Sequence, residues 1–247
     1  MTLIPRTRLY LDAPLGPDES FSLSREQSHY LMNVLRAEKG ERVLVFNGRD
    51  GEFEAEIIPE NRKQATAVIH GQTRPQPAPP SLMLAFAPIK KARIDFIAEK
   101  ATELGVGILQ PVITAYTNVT RVNTGRLAAN AIEAAEQTGR LTIPEIREPL
   151  PLALFLDSLD ADYQVVFCDE GLASGDGKSM IKVLSNTSGP AVVLIGPEGG
   201  FSDAERDRIN ADKRSLAVSL GPNILRADTA MVAAVTLWQT IAGDWKE

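Results

Sequence analysis

The sequence predicts an α/β fold built on a parallel sheet, preceded by a small domain of short strands. Three observations carry that prediction. The apolar runs 82–87, 108–113, 163–168 and 191–195 lack polar alternation, as strands covered on both faces do. Each leads through a polar loop toward a helical stretch, the order that builds a parallel sheet. Before residue 73 the apolar runs are instead short and hairpin-linked, with one helical segment among them, which suits a small β-barrel.

Within the first domain, a brief apolar alternation surrounds Leu9 and Leu11. Ser24-Arg-Glu-Gln27 fits a capping box that opens a helix with Tyr30, Leu31, Val34 and Leu35 on its apolar side. Strands at Arg42–Phe46 and Glu52–Ile58 flank Asn47-Gly-Arg-Asp-Gly51, a hairpin loop by its glycines, and Gln64–His70 forms a further strand. Four prolines between Gly71 and Ser81 remove amide donors and stiffen the chain as a linker. The expected division is therefore a barrel over 1–72, a linker over 73–81 and the α/β domain over 82–247. In the latter, Ile94–Leu104 is helical and stops at Gly105, and Arg126–Arg140 is a second helix.

Composition narrows the chemistry. With 247 residues, 44% hydrophobic and 23% charged, the chain buries a sizeable core and is not disordered. A single cysteine, Cys168, excludes an internal disulfide framework, and His29 and His70 alone leave little for a metal, so no metal site is expected. No apolar run reaches the ~18–20 residues of a membrane span, and MTLIPRTRLYLD lacks a signal peptide's apolar core, so the expected location is cytoplasmic. The net charge is −6 and no segment is polybasic. Any contact with RNA must then rest on a few placed arginines.

The most informative stretch is Ala191-Val-Val-Leu-Ile-Gly-Pro-Glu-Gly-Gly-Phe-Ser-Asp-Ala-Glu205. A strand ends at Gly196, a loop with three glycines follows, and Ser202 with Glu205 forms the capping box of the next helix. Ligands of parallel sheets sit beyond the strands' carboxyl ends, where glycines let backbone amides approach them. The loop lacks the lysine of a phosphate-binding P-loop and the spacing of a dinucleotide fingerprint, and Glu198 would repel phosphate. A cationic or neutral ligand fits better. A second loop, Leu220-Gly-Pro-Asn-Ile-Leu-Arg-Ala-Asp-Thr-Ala230, follows a short strand at Leu216–Leu220 and precedes a helix over Ala230–Ile241, with Asp228 or Thr229 as its N-cap. That helix is apolar nearly all round, which fits burial within one chain and burial in a dimer equally well.

These two loops, together with Glu133-Ala-Ala-Glu-Gln-Thr-Gly-Arg140, resemble the three signature motifs of SPOUT-class methyltransferases. More narrowly, the chain resembles the bacterial 16S ribosomal RNA uracil-N3 methyltransferases. The likeness extends to Lys90…Arg93…Lys100-Ala-Thr-Glu-Leu-Gly-Val106, to Ile4-Pro-Arg6 and to His29-Tyr-Leu-Met-Asn-Val-Leu-Arg36. Asp228 departs from the glutamate usual there, shortening the side chain by one methylene. The resemblance implies an α/β domain with a C-terminal trefoil knot, a PUA-like N-terminal barrel that binds RNA, a homodimer, and S-adenosylmethionine held by the two glycine loops.

On that basis the expected activity is S-adenosylmethionine-dependent methylation of a uridine N3 in 16S ribosomal RNA, free or in the small subunit. The expected cofactor contacts are Cys168, Leu194, Ile195, Gly196, Gly199, Gly200, Leu220, Gly221, Ile224, Leu225 and Thr229. Arg140 is expected to stabilise charge developing on the base, and Glu198 to take its proton. Arg6, Arg8, Arg36, Lys90 and Arg93 are the expected RNA contacts, arginine being suited to phosphate. Arg226 is expected to pair with Asp228. The alternatives are a related methyltransferase acting on another RNA, and a non-catalytic ribosome-assembly RNA-binding protein. The intact glycine loops count against the latter.

Overall fold

The computed structural model describes residues 7–61, 63–89, 91–119, 121–173, 179–185, 187 and 189–245, with backbone alone for 91 and 92. Arg6 and Lys90, two of the expected RNA contacts, lie outside the described residues. The chain divides into two compact units, one of Met1–Ala78 with Ala135–Thr142, the other of Pro79–Ala134 with Ile143–Glu247.

The first unit holds a five-stranded sheet in the order β1-β3-β4-β5-β2, from β1 (Arg8–Tyr10), β2 (Ser20–Ser22), β3 (Arg42–Phe46), β4 (Glu52–Asn61) and β5 (Gln64–Arg74). β1 joins β3 in parallel and the other pairs are antiparallel. Leu9 and Leu23, at the sheet's opposite edges, meet in one core with Val43, Val45, Ala55, Ile57, Ala67 and Ile69. The hairpin loop is set by Asn47, whose Oδ1 accepts from the amides of Arg49 (2.9 Å) and Asp50 (2.8 Å). Part of the expected linker is sheet, since β5 runs on to Arg74.

The capping box forms as expected: Gln27 N donates to Ser24 Oγ and Ser24 N to Gln27 Oε1, both at 3.1 Å, opening α1 (Arg25–His29). The apolar side does not. After His29 the chain widens into a π-turn, Tyr30–Val34, closed by Leu35 N donating to Tyr30 O at 2.9 Å. The wider turn breaks the 3.6-residue phase, so Leu31 alone is fully buried while Tyr30, Val34 and Leu35 are exposed.

The second unit holds a parallel sheet in the order β12-β10-β11-β6-β7-β8, with β9 beside β7. Its elements are β6 (Leu82–Phe86), α2 (Lys91–Glu103), β7 (Ile108–Ile113), α3 (Thr124–Thr138), β8 (Glu145–Ile146), β9 (Leu150–Pro151), α4 (Leu152–Ser158), β10 (Gln164–Cys168), α5 (Met180–Leu184), β11 (Ala191–Ile195), α6 (Asp203–Ala211), β12 (Ser215–Val218) and α7 (Ala227–Ile241). The last turn of α3 is counted with the first unit. Successive strand residues serve opposite faces. Leu84, Val166, Val193 and Ile195 join Ile97, Met231 and Trp238 on one side, and Val165, Phe167, Val192 and Leu194 join Phe155, Phe201 and Ile209 on the other. That two-sided burial is why these strands carry no polar alternation.

Helix α7 begins three residues earlier than expected. Arg226 is its N-cap and makes no side-chain capping bond, and Asp228 sits in the first turn, where a carboxylate favours the helix dipole. One stripe of α7 is buried, including Met231, Ala234, Val235 and Trp238, while Val232, Ala233 and Leu237 are half-buried. Buried Gln239 donates through Nε2 to Leu104 O (2.8 Å) and Gly105 O (3.2 Å), satisfying carbonyls at the end of α2.

Candidate cofactor-binding site

The site lies in the second unit, at the carboxyl ends of three strands held level by their pairing. Cys168 of β10 is in register with Ile195 of β11 on one side and Val218 of β12 on the other. The loops that leave these residues therefore start side by side and enclose one cleft. Its walls are Cys168–Glu170 and Ala173, then Ile195–Glu198 and Gly200, then Ser219–Gly221, Asn223–Leu225, Ala227 and Ala230. The cleft, counted with the solvent it opens to, holds about 600 Å³. Ligand sites for small organic molecules run to ~300–1,000 Å³, a range that includes it.

Sequence reasoning placed the two glycine loops on one ligand, and they do line one cleft. Their strands are not adjacent, however, because β10 runs between β11 and β12. The loop Asp169–Ala173 was thus missed beyond Cys168, although the run 163–168 leads into Asp169-Glu-Gly171 and follows the same strand-to-loop logic. Nor is β12 a buried strand: it lies at the sheet edge and only Val218 is buried.

Of the expected cofactor contacts, Cys168, Ile195, Gly196, Gly200, Leu220, Gly221, Ile224 and Leu225 line the cleft. Three do not. Leu194 alternates to the opposite face, within the core that holds Phe167 and Phe201. A side chain on Gly199 would face Tyr116, whose Cβ lies 3.3 Å from the position of a Cβ there. Thr229 is turned to its neighbour, its amide donating to Asp228 Oδ1 at 2.9 Å.

Packing explains two of the glycines. A Cβ on Gly196 would lie 2.6 Å from Phe201 Cε2, and one on Gly200, whose φ is +71°, would collide with Glu170 Oε1. Gly221 differs: its φ is +124° and a Cβ there meets nothing within 4 Å. It lines the cleft with open space where a side chain would stand, while its amide donates to Ser219 Oγ at 3.3 Å and its carbonyl accepts from that hydroxyl at 3.2 Å.

The walls are acidic. Asp169, Glu170 and Glu198 line the cleft, and among the described residues no basic side chain does. Arginines stand behind them. Arg206 of α6 pairs with Asp169 and, at 2.5 Å, with Glu170, and its Nε donates to Phe201 O at 3.3 Å. Arg93 of α2 holds Glu198 at 3.0 Å and Asp228 at 3.7 Å, linking the β11 loop to the first turn of α7. Arg93 is therefore engaged with two carboxylates, of which Glu198 lines the cleft, and the partner of Asp228 is Arg93 and not Arg226. Burial pushes the Cys168 thiol up to about 12, leaving it a neutral packing surface.

Arg8 and Arg140 belong to the first unit. Arg8 was expected on RNA, yet its side chain is only 8% exposed. Its Nε donates to Glu52 Oε2 at 2.9 Å, its guanidinium lies 4.4 Å from the centroid of the Phe46 ring, and it donates to the carbonyls of Ala135, Glu136 (3.2 Å) and Arg140 (2.9 Å). Arg74 completes the cluster, held by Glu52 at 2.9 and 2.7 Å and donating to Gly139 O at 2.9 Å. Glu136 Oε1 accepts from the amide of Tyr10 at 2.8 Å. Arg8 is thus a cap on the end of α3, and the segment carrying Arg140 is fixed by it. Burial pushes the Glu52 carboxyl upward, but its bonds to Arg74, Arg8 and Thr73 together outweigh that and hold it below the ordinary carboxylate value. Arg36 is exposed and adopts φ +56°, the left-handed position that ends the π-turn.

Residues 76–239 match the model of an RNA methyltransferase domain. The chain belongs to this RNA methyltransferase family. Residues 23–69 match an RNA methyltransferase PUA domain. Ribosomal RNA small subunit methyltransferase E of Rickettsia conorii is 30% identical over 92% of this chain and 93% of its own, and the Bacillus subtilis protein of that name is 27% identical over 88% of each. Among solved structures, ribosomal RNA small subunit methyltransferase E from Neisseria gonorrhoeae, bound to S-adenosyl methionine, superposes with a TM-score of 0.84 at 28% identity over 97% of this chain and 99% of that one. A Legionella pneumophila methyltransferase in complex with the cofactor SAM gives 0.85 at 30% identity, over 96% and 98%. The α/β methyltransferase domain and its PUA partner thus agree with the fold expected from the sequence. Among the described residues there is no cluster suited to a metal ion and no helix long and apolar enough to cross a membrane.

Proposed function

We propose that this chain methylates N3 of a uridine in 16S ribosomal RNA, drawing the methyl group from S-adenosylmethionine. The observation that carries the reading is the cleft of three level loops, walled by carboxylates and backbone, in a chain whose relatives are ribosomal RNA methyltransferases. S-adenosylmethionine bears a net positive charge, with a sulfonium, an ammonium and one carboxylate, and an acidic wall without a basic side chain suits it. Bound there, it supplies the electrophilic methyl group.

The protein's part is to grip, orient and manage one proton. Backbone groups of Ile195–Gly196 and Leu220–Leu225 hold the nucleoside, with Gly221 leaving room for it. Uracil N3 carries a proton at neutral pH, so methylation needs an acceptor and a group that tolerates the anion. We assign the first role to Glu198, on the cleft rim beside Arg93, and the second to Arg140, whose guanidinium stabilises charge developing on the base oxygen. Arg8, Arg74 and Glu136 support that role by fixing the end of α3. On the first unit, exposed Arg36 serves a phosphate, and Arg6 is a further candidate.

The same reading has the segment from β12 through α7 threaded as a trefoil knot. It also makes the working unit a homodimer in the cytoplasm, the half-buried Val232, Ala233 and Leu237 of α7 meeting a second copy. Sedimentation of the full chain tests the dimer. The activity is tested by mass mapping of 16S RNA from cells with and without this protein, followed by treatment of the unmodified RNA with purified protein and S-adenosylmethionine. One added methyl group on a uridine base is expected, and a ribose methyl or no added mass refutes the assignment.

A further inference from the structure

We infer that Arg206 is a positioning residue that sets Glu170 as the charge-selecting wall of the cleft, so that the site favours the cationic methyl donor over the neutral sulfide product. The inference rests on the cofactor reading of the cleft given above. Arg206 does not line the cleft. It stands on α6 behind it and reaches two loops at once, pairing with Asp169 and Glu170 of the β10 loop and donating to Phe201 O of the β11 loop.

Its grip uses one oxygen of each carboxylate. Asp169 Oδ1 takes Arg206 and the amide of Gly171 at 2.9 Å, while Glu170 Oε1 takes Arg206 at 2.5 Å. Among the described residues Glu170 Oε2 has no partner, and Glu170 lines the cleft. The neighbouring backbone is shaped around this pair. A Cβ on Gly171 would lie 2.5 Å from Arg206 Nη1, and one on Gly200 would strike Glu170 Oε1. Two glycines thus make room for a side-chain pair that bears on the site, with Arg206 24% and Glu170 30% exposed at the side chain.

An ionised carboxylate only accepts hydrogen bonds and attracts positive charge. S-adenosylmethionine and its product S-adenosylhomocysteine share every group except the methyl, and differ by one unit of charge. A carboxylate locked beside them distinguishes the two, and a carboxylate free to swing into water does so less, because solvent screens it. Arg206 supplies the lock and divides its one charge between Asp169 and Glu170, so the trio stays net negative, and the outcome is retention of donor and release of product after each transfer.

Calorimetric titration of the full chain with each ligand tests this, with thermal unfolding as a check on folding. Glu170→Gln is nearly isosteric and should weaken S-adenosylmethionine about tenfold while leaving S-adenosylhomocysteine within twofold. Arg206→Gln should shift the affinity ratio the same way by a similar factor, and Arg206→Lys, which keeps the charge, should recover part of it. Equal weakening of both ligands, or an unchanged ratio in either the Glu170 or the Arg206 variant, overturns the inference and leaves the cofactor site standing. Failure of the wild-type chain to bind either ligand refutes the cofactor site itself, and this inference with it.

Discussion

Replacing Gly196 with alanine adds one methyl group at the point where β11 gives way to the cleft. That carbon would sit 2.6 Å from Phe201 Cε2, well inside the 3.4–4 Å of ordinary contact. The ring cannot slide away freely: Phe201 is 4% exposed and stands edge-on to Phe167, centroids 5.3 Å apart at 82°. Overpacking of this kind costs about 1–3 kcal/mol. For a chain of this length each kcal/mol lowers the melting temperature by about 2–4 °C, so a drop of roughly 4–8 °C is expected for a mid-range cost. The displaced ring also pushes on Gly200 and its carboxylate neighbour, so affinity for S-adenosylmethionine should fall together with stability. Thermal unfolding followed by circular dichroism and calorimetric titration measure the two effects. Phe201→Leu removes the obstacle, and the double variant should recover more than about 0.5 kcal/mol over the sum of the singles. A Gly196→Ala protein that melts within 1 °C of wild type and binds normally, or strict additivity with Phe201→Leu, refutes the packing argument.

Arg8→Met leaves carbonyls at the end of α3 without their donor, although Arg74 still holds Glu52. Breaking buried pairs costs about 3–5 kcal/mol, and the remaining arginine puts the expected loss near the lower end, measurable by urea denaturation. A loss under about 1 kcal/mol would return Arg8 to the surface. Arg140→Ala should lower turnover at least ~10²-fold, as removal of a charge-stabilising group does, with cofactor affinity held within about twofold. Turnover near wild type would remove Arg140 from the chemistry. The hydrogen bond from Arg214 holds the Asp212 carboxyl down at about 2, from an ordinary 3.8. A value depressed on folding stabilises above the unfolded value and is lost as pH falls through the folded one. That contribution is intact above about pH 4 and gone near pH 2, so Asp212→Asn should flatten the loss of stability across this window. An unchanged acid profile would show the pair to be inert.

The parallel sheet was legible because burial on two faces leaves a plain mark, an apolar run without alternation. Both capping boxes were legible because Ser24 with Gln27 and Ser202 with Glu205 are local in sequence. Long-range partners were not. Nothing near Arg8 in the chain announces that the carbonyls of residues 135–140 await it, and a surface role was the natural reading of an arginine beside a short strand. The two carboxylates that Arg93 meets were hidden for the same reason, lying more than a hundred residues away in the chain. The π-turn after His29 was hidden because five residues of helix-like sequence do not reveal one extra residue per turn. The order of β10 between β11 and β12 was equally hidden, since strand sequence carries depth but not neighbours.

The buried state of Cys168 has a chemical consequence for an enzyme that handles an alkylating agent. Sulfur anions are among the best acceptors of a methyl group, and this one stands at the wall of the cleft. With burial pushing the thiol up to about 12, the sulfur stays protonated near pH 7. The apolar packing that shuts water out from around this sulfur thereby protects the protein from modifying itself, and leaves the nucleic acid as the recipient.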